Sequence, residues 1–215
     1  DLQSFAFRAF GSISSVGSIL FMTALYAGFL LTEVNNFNAK ISKALGGDAT
    51  QALKIISKVN NRIGVYLTIK TIINIILASI SFLIMWVMGI DSAVFWAVMI
   101  GFLNYIPYVG SAIGVGFPVG LALAQFGSLQ WAILALVLLM AVQTYVGNIL
   151  EPKMIGKSVN LSSFVVLLAL VFWTTIWGLP GAILSIPLTS VLVILLAENQ
   201  STKPFAAMFT SDGDL

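Results

Sequence analysis

The chain has 215 residues, of which 59% are hydrophobic and 8% charged, with a net charge of +2. Soluble domains carry about a quarter charged residues, so a water-exposed globular surface is excluded. With neither cysteine nor histidine, disulfides, thiol chemistry and histidine-based metal or acid–base sites are excluded as well. Several apolar runs reach the ~18–20 residues needed to cross a bilayer. Runs such as "WAILALVLLMAV" are continuous rather than alternating, which argues against a transmembrane barrel. The composition predicts an all-α polytopic membrane protein, a helical bundle.

Residues 1–32 hold the first span, apolar from about Gly11 to Thr32. Its "GSISSVGS" start is rich in small residues, a helix–helix packing face or a serine-lined path. Residues 33–62 form the one long polar stretch, read as a cytoplasmic amphipathic arm. Gly46–Asp48 breaks it and offers an N-cap. Leu53, Ile56, Val59 and Ile63 then recur at helical spacing, as on a helix lying at the membrane surface.

Residues 63–197 are the expected transport core. Its first span runs from about Ile63 to Met88 and ends at a tight turn, Gly89–Asp91. The segment Ser92–Phe126 is interrupted by "NYIPYVGSAIGVGFP". Lysines concentrate on the cytoplasmic side of membrane proteins; Lys40, Lys43, Lys54, Lys58 and Arg62 place the arm inside, and Lys153 and Lys157 do the same for a later loop. Both hold only if Ser92–Phe126 dips in and returns. A hairpin is predicted, Ser92–Tyr105 in and Val109–Phe126 back. Pro107 removes a donor, while Gly110, Gly114 and Gly116 permit bends and close approach. Non-helical backbone at that depth survives only inside protein or against a watery cavity, so amides and carbonyls near the break are expected to be free to bind a solute.

A span from about Trp131 to Ile149 follows, ended by Pro152. Spans at about Ser163–Trp177 and Ala182–Ala197 enclose "GLPG", with Gly178, Pro180 and Gly181 at the tip and Pro187 beyond. Two Gly/Pro-interrupted hairpins, each preceded by a span, suggest an inverted repeat, the arrangement that marks transporter substrate sites; two unrelated proline kinks are the alternative. The tail, 198–215, is polar, cytoplasmic and expected to fray. Trp131, Trp173 and Trp177 read as interfacial anchors.

Tyr66, Lys70 and Asn74 share one helical face. Lys70 either snorkels to the interface or holds an anion or carboxylate. Gln143, Gly147 and Glu151 form one row, with Thr144 and Asn148 beside it. That stripe is either interhelical hydrogen bonding or a polar pathway wall. The expected pathway comprises Asn104, Tyr105, Pro107, Tyr108, Gly110, Gln143, Thr144, Asn148, Glu151, Gly178, Gly181 and Pro187. Glu151 and Lys70 are candidates for an ion or proton site. No P-loop, Rossmann glycine pattern, nucleophile arrangement or zinc motif is present, so neither an enzyme nor a cofactor is expected.

The blocks "LNYIPYVGSAIG" and "QTYVGNILEPKMIGKSVNLSSFVVLLALVFWTTIWGLPGAILSIPLTSVL" resemble the AI-2E transporter family, also described as PerM-like. The family pattern falls on Pro107, Gly110, Gln143, Asn148, Pro152, Gly156, Gly178, Gly181 and Pro187. Many members carry a proline, often after a histidine, where this chain has Ser162–Ser163, so the start of that span is expected to be less rigid. Members are longer, and the chain begins at Asp1 without methionine, so an N-terminally truncated fragment is expected. The resemblance implies a multi-pass protein of the cell inner membrane and a homo-oligomer. The partners expected are the lipid bilayer and a small polar solute or Na+/H+, with no nucleic acid. Export of autoinducer-2 is the leading expectation; an Na+(Li+)/H+ antiporter centred on Glu151 and a non-transporting scaffold are the alternatives.

Overall fold

The computed structural model describes residues 2–46, 49–155 and 160–213. The chain divides into two compact units, Asp1–Ser57 and Lys58–Leu215. In the first, α1 (Leu2–Leu45) is one uninterrupted helix of 44 residues. It runs through the change from apolar to polar composition at residue 33, because nothing between Thr32 and Leu45 breaks the hydrogen-bond ladder. Glu33 and Lys40 meet on its exposed surface. Gly46, at φ 54°, follows it; Gly47 and Asp48, the rest of the expected break and N-cap, lie outside the described residues, as do the side chains of Gly11–Ser18. Residues 33–62, read as an arm, fall in the end of α1 and the start of α2 (Ala49–Met88), a 40-residue helix continuous with the next span.

The second unit holds the rest of α2, then α3 (Ala93–Leu103), α4 (Val109–Phe126) and α5 (Leu129–Tyr145). A π-helical turn, Val146–Leu150, joins α5 to α6 (Glu151–Ile155); α7 (Ser163–Trp177), α8 (Leu179–Glu198) and α9 (Lys203–Phe209) follow. No strand occurs among the described residues, apart from an isolated bridge between Leu161 and Thr210. Among the described residues, four helical stretches are long and apolar enough to cross a bilayer: Ala49–Met88, Val109–Phe126, Leu129–Ile155 and Leu179–Glu198. Large apolar side chains such as Phe95, Leu134, Val137, Phe164 and Phe172 lie exposed on these helices and their neighbours, as lipid-facing residues do and a soluble surface does not. The molecule is an all-α, multi-pass membrane protein.

The predicted hairpin is present. Chain direction reverses over residues 104–108, between α3 and α4. At the other end, the Gln125 side chain donates to the Gly89 carbonyl and accepts from the Asp91 N–H. The far end of α4 is thus tied back to the turn that α3 leaves. Small residues set the packing. A Cβ on Gly101 would lie 3.0 Å from the Asn74 carbonyl oxygen and 3.1 Å from the Ala78 side chain, so α3 crosses α2 backbone to backbone, as membrane helices with small residues do. Ile73, Leu77, Ala97, Ile100, Val115, Ala135 and Leu139 join these helices in one core. A second cluster, Ile106 with Leu170 and Ala182, seats the break of the first hairpin on the second.

The second hairpin turns at Gly178, whose φ of 64° and ψ of −140° suit glycine. The two hairpins share one steric device. A Cβ on Gly110 would sit 1.8 Å from the Leu103 carbonyl oxygen, and one on Gly181 would sit 1.9 Å from that of Trp173. Gly116, expected to help the chain approach closely, has open space around it. The Trp173 indole N–H donates to Thr189 of α8 at 3.0 Å, tying the two arms of the second hairpin. Ser162 caps α7 by accepting from the Val165 N–H, which secures a helix start expected to be loose. The tail does not fray at once. Its α9 buries Ala206 completely, and the Phe209 carbonyl accepts from the Ser162 N–H.

Gly110→Ala must displace backbone, and its cost is expected to reach about 3 kcal/mol. Gly116→Ala is expected to be neutral or to stabilise by a few tenths up to ~1 kcal/mol. Thermal unfolding in detergent checks both; equal midpoints would refute the close-approach reading.

Candidate functional site

The break between α3 and α4 is closed locally. The N–H groups of Asn104, Tyr105 and Ile106 donate to the carbonyls of Ile100, Phe102 and Leu103, and that of Gly110 donates to Ile106. Val109 donates to the Pro107 carbonyl at 2.6 Å across Tyr108, which holds φ 60° and ψ −50°. This is the rare positive-φ γ-turn, a strained conformation of the kind that concentrates at functional sites and costs on the order of 1–3 kcal/mol. The expectation of free amides at the break is thereby corrected: these five donors are used, and side chains face the open space.

That space is a cavity of about 520 Å3, within the range of small-molecule sites. Asn104, Pro107, Tyr108 and Ser111 come from the first hairpin. Gln143, Thr144, Gly147, Asn148 and Glu151 come from α5, the π turn and the start of α6. Lys70 comes from α2, and Met140, Val166 and Ile186 add apolar wall. Of the residues predicted to form the pathway, Asn104, Pro107, Tyr108, Gln143, Thr144, Asn148 and Glu151 meet here, joined by Lys70. Tyr105 points elsewhere and pairs its hydroxyl with Thr71 on α2. Gly110 packs on Leu103, Gly178 forms the turn of the second hairpin, and Gly181 packs on Trp173. Pro187 faces a narrow cleft beside Tyr66 and Ser190. These four shape the hairpins; the cavity wall is made by others.

Two polar links cross the cavity. Lys70 Nζ lies 2.6 Å from Glu151 Oε1, with side-chain exposures of 6% and 22%. Lys70 therefore does not snorkel; it holds a carboxylate, one of the two readings left open by the sequence. Gln143 donates to Asn104 at 2.8 Å, and Asn104 donates to Asn74 at 2.8 Å. This amide chain pins the end of α3 between α5 and α2. Asn74 and Ser111 were not among the expected pathway residues. Asn74 was visible on the Lys70 face, but only the fold shows that Asn104 lands opposite it.

Pro152 does not end its helix. The Glu151 N–H donates back five residues to the Val146 carbonyl, and the widened turn relieves the clash that a proline ring makes inside an α-helix. The helix then continues to Ile155. The turn thus lies at the cavity wall, as π turns often lie at functional sites. Gly156 and Lys157 lie outside the described residues.

Breaking the ion pair is expected to be asymmetric. Glu151→Gln leaves the nearly buried Lys70 ammonium without its partner and is expected to cost about 3 kcal/mol. Lys70→Met leaves a carboxylate that the cavity partly solvates and is expected to cost less. Thermal unfolding of the two variants measures the order.

Residues 1–200 match the family described as AI-2E family transporter. A Borreliella burgdorferi protein provisionally named a transport protein is 33% identical over 216 residues, covering 100% of this chain and 59% of its own length. A Haemophilus influenzae protein of the same provisional name is 31% identical over 213 residues, 96% of this chain and 60% of its own length. The AI-2 transport protein TqsA of Escherichia coli K12 is 29% identical over 198 residues, 92% of this chain and 57% of its own length. The chain spans about three fifths of the length of these relatives. With a family match that takes in all of its transmembrane helices, the chain belongs to the AI-2E transporter family.

Proposed function

We propose that this chain forms the solute-conducting part of a secondary transporter of the cell inner membrane, which exports a small polar molecule through the cavity between α2, the first hairpin and α5–α6. The observation that carries this reading is a cavity of about 520 Å3 with a polar wall inside an apolar bundle. Intramembrane ionisable residues are costly and mark solute or ion paths. Here Lys70 and Glu151 neutralise one another, while carboxamides and hydroxyls offer hydrogen bonds in both directions. Such a wall suits an uncharged solute rich in oxygen. Autoinducer-2 is the candidate named by the relative TqsA. The antiporter alternative needs a carboxylate free to take up a cation, and Glu151 is engaged by Lys70.

Asn148 lines the cavity and is exposed to it. Asn148→Ala in the full-length protein, reconstituted into liposomes, is expected to lower efflux of labelled autoinducer-2 about tenfold, the effect of ~1.4 kcal/mol, with no change in unfolding temperature. Gln143→Ala is expected to lower efflux likewise, and also to lower the unfolding temperature, because it leaves the buried Asn104 carboxamide oxygen without its donor. Wild-type efflux in both variants would remove this cavity from the pathway.

A further inference from the structure

Two buried polar atoms lack a hydrogen-bond partner among the described residues, the Tyr66 hydroxyl and the Asn74 amide nitrogen. Their residues are 2% and 4% exposed, and they lie one helical turn to either side of Lys70. Orphaned buried polar groups are few in folded proteins, and each needs a reason. Asn74 already accepts from Asn104 through its other amide atom. The Tyr66 hydroxyl has no partner, and it stands one turn from Lys70 on the same helix face, the face from which Lys70 meets Glu151.

Lys70 is the cavity residue best able to move toward a solute. Its ammonium carries three donors on a flexible four-carbon stem. Once it turns to a hydroxyl or carbonyl oxygen in the cavity, the Glu151 carboxylate loses its counter-charge and keeps only the partial solvation of the cavity, so a further donor stabilises it. A phenol one turn along the same helix meets that need. It donates one strong O–H···O− bond and brings no charge of its own.

We propose that Tyr66 is a positioning residue for transport, whose hydroxyl takes over the Glu151 carboxylate while Lys70 engages the solute. The exchange replaces an N–H···O− bond with an O–H···O− bond. No proton changes hands, and Glu151 stays ionised and in place. The inference rests on the cavity's being the transport route, and it explains why a buried hydroxyl is kept idle in the state described here.

The test is a double-mutant cycle on the purified full-length protein, which needs no solute. Tyr66→Phe is expected to leave the unfolding midpoint unchanged or higher while Lys70 is present. In a Lys70→Gln background the same change is expected to lower the midpoint by about 3 °C, because the hydroxyl then holds Glu151. Equal effects in both backgrounds would show a hydroxyl that only packs or binds a water in its cleft, and would overturn the proposal. Lys70→Met serves as a second background; if neither Lys70 variant folds with Tyr66 in place, the hydroxyl does not substitute and the proposal fails. Infrared spectra of ring-labelled tyrosine give an independent reading. The band lost in Tyr66→Phe is expected to move to the hydrogen-bond donor position in the Lys70→Gln protein, and an unmoved band counts against the exchange. A flux measurement completes the set. Tyr66→Phe is expected to slow autoinducer-2 efflux at least threefold. Coupling in the cycle with normal efflux would remove Tyr66 from transport, and the Asn148→Ala result judges the route itself separately.

Discussion

Lipid offers backbone amides no hydrogen-bonding partner, so a chain that leaves the helix inside a bilayer has to find its partners within the protein. In this molecule the constraint acts at residues 104–108. Short-range turns occupy the amides of Asn104, Tyr105 and Ile106, the Asn104 carboxamide is held between Gln143 and Asn74, and Ile106 is clamped against the second hairpin. The close contact of Gly110 with the Leu103 carbonyl is what lets α4 start so near the end of α3. Remove the local pairing and the break becomes untenable at that depth. With it, the break costs little beyond the strain stored at Tyr108.

With five amides at the break paired locally, the cavity draws the polar chemistry of its wall chiefly from side chains. Its polar wall comes from three separate elements, and each polar link across it also ties helices together. Lys70 and Glu151 join α2 to α6, and the amide chain joins α5, α3 and α2. Any solute that competes for these groups competes with the fold's own bonds. A bundle arranged this way couples what occupies the cavity to how its helices are held.

Much of this was legible in the sequence, for identifiable reasons. The Gly/Pro interruptions and the placement of lysines demanded a returning hairpin, and glycines 110 and 181 marked the tight approaches. The stripe from Gln143 to Glu151 was visible as polarity in an apolar run, and most of the expected cavity residues fall there or at the first break. What the sequence hid was contact between distant segments. Lys70 and Glu151 are far apart in the chain, and nothing local says which carboxylate a buried lysine meets. Helix ends were obscured where polarity changes without a breaker, as in α1 and α2. Local rules also misled at Pro152 and Ser162. A proline need not stop a helix that widens ahead of it, and a serine at a helix start can cap it.

The widened turn at Val146–Leu150 has a geometric effect on everything after it. Successive residues of a regular helix are rotated by about 100°, so Gln143 and Glu151, eight positions apart, would stand ~80° out of line on an unbroken helix. Absorbing one extra residue brings them to within ~20° of a common meridian. Both residues line the same cavity. The irregular turn thus acts as a phase shifter, aligning a neutral hydrogen-bonding group and a charge along a single wall.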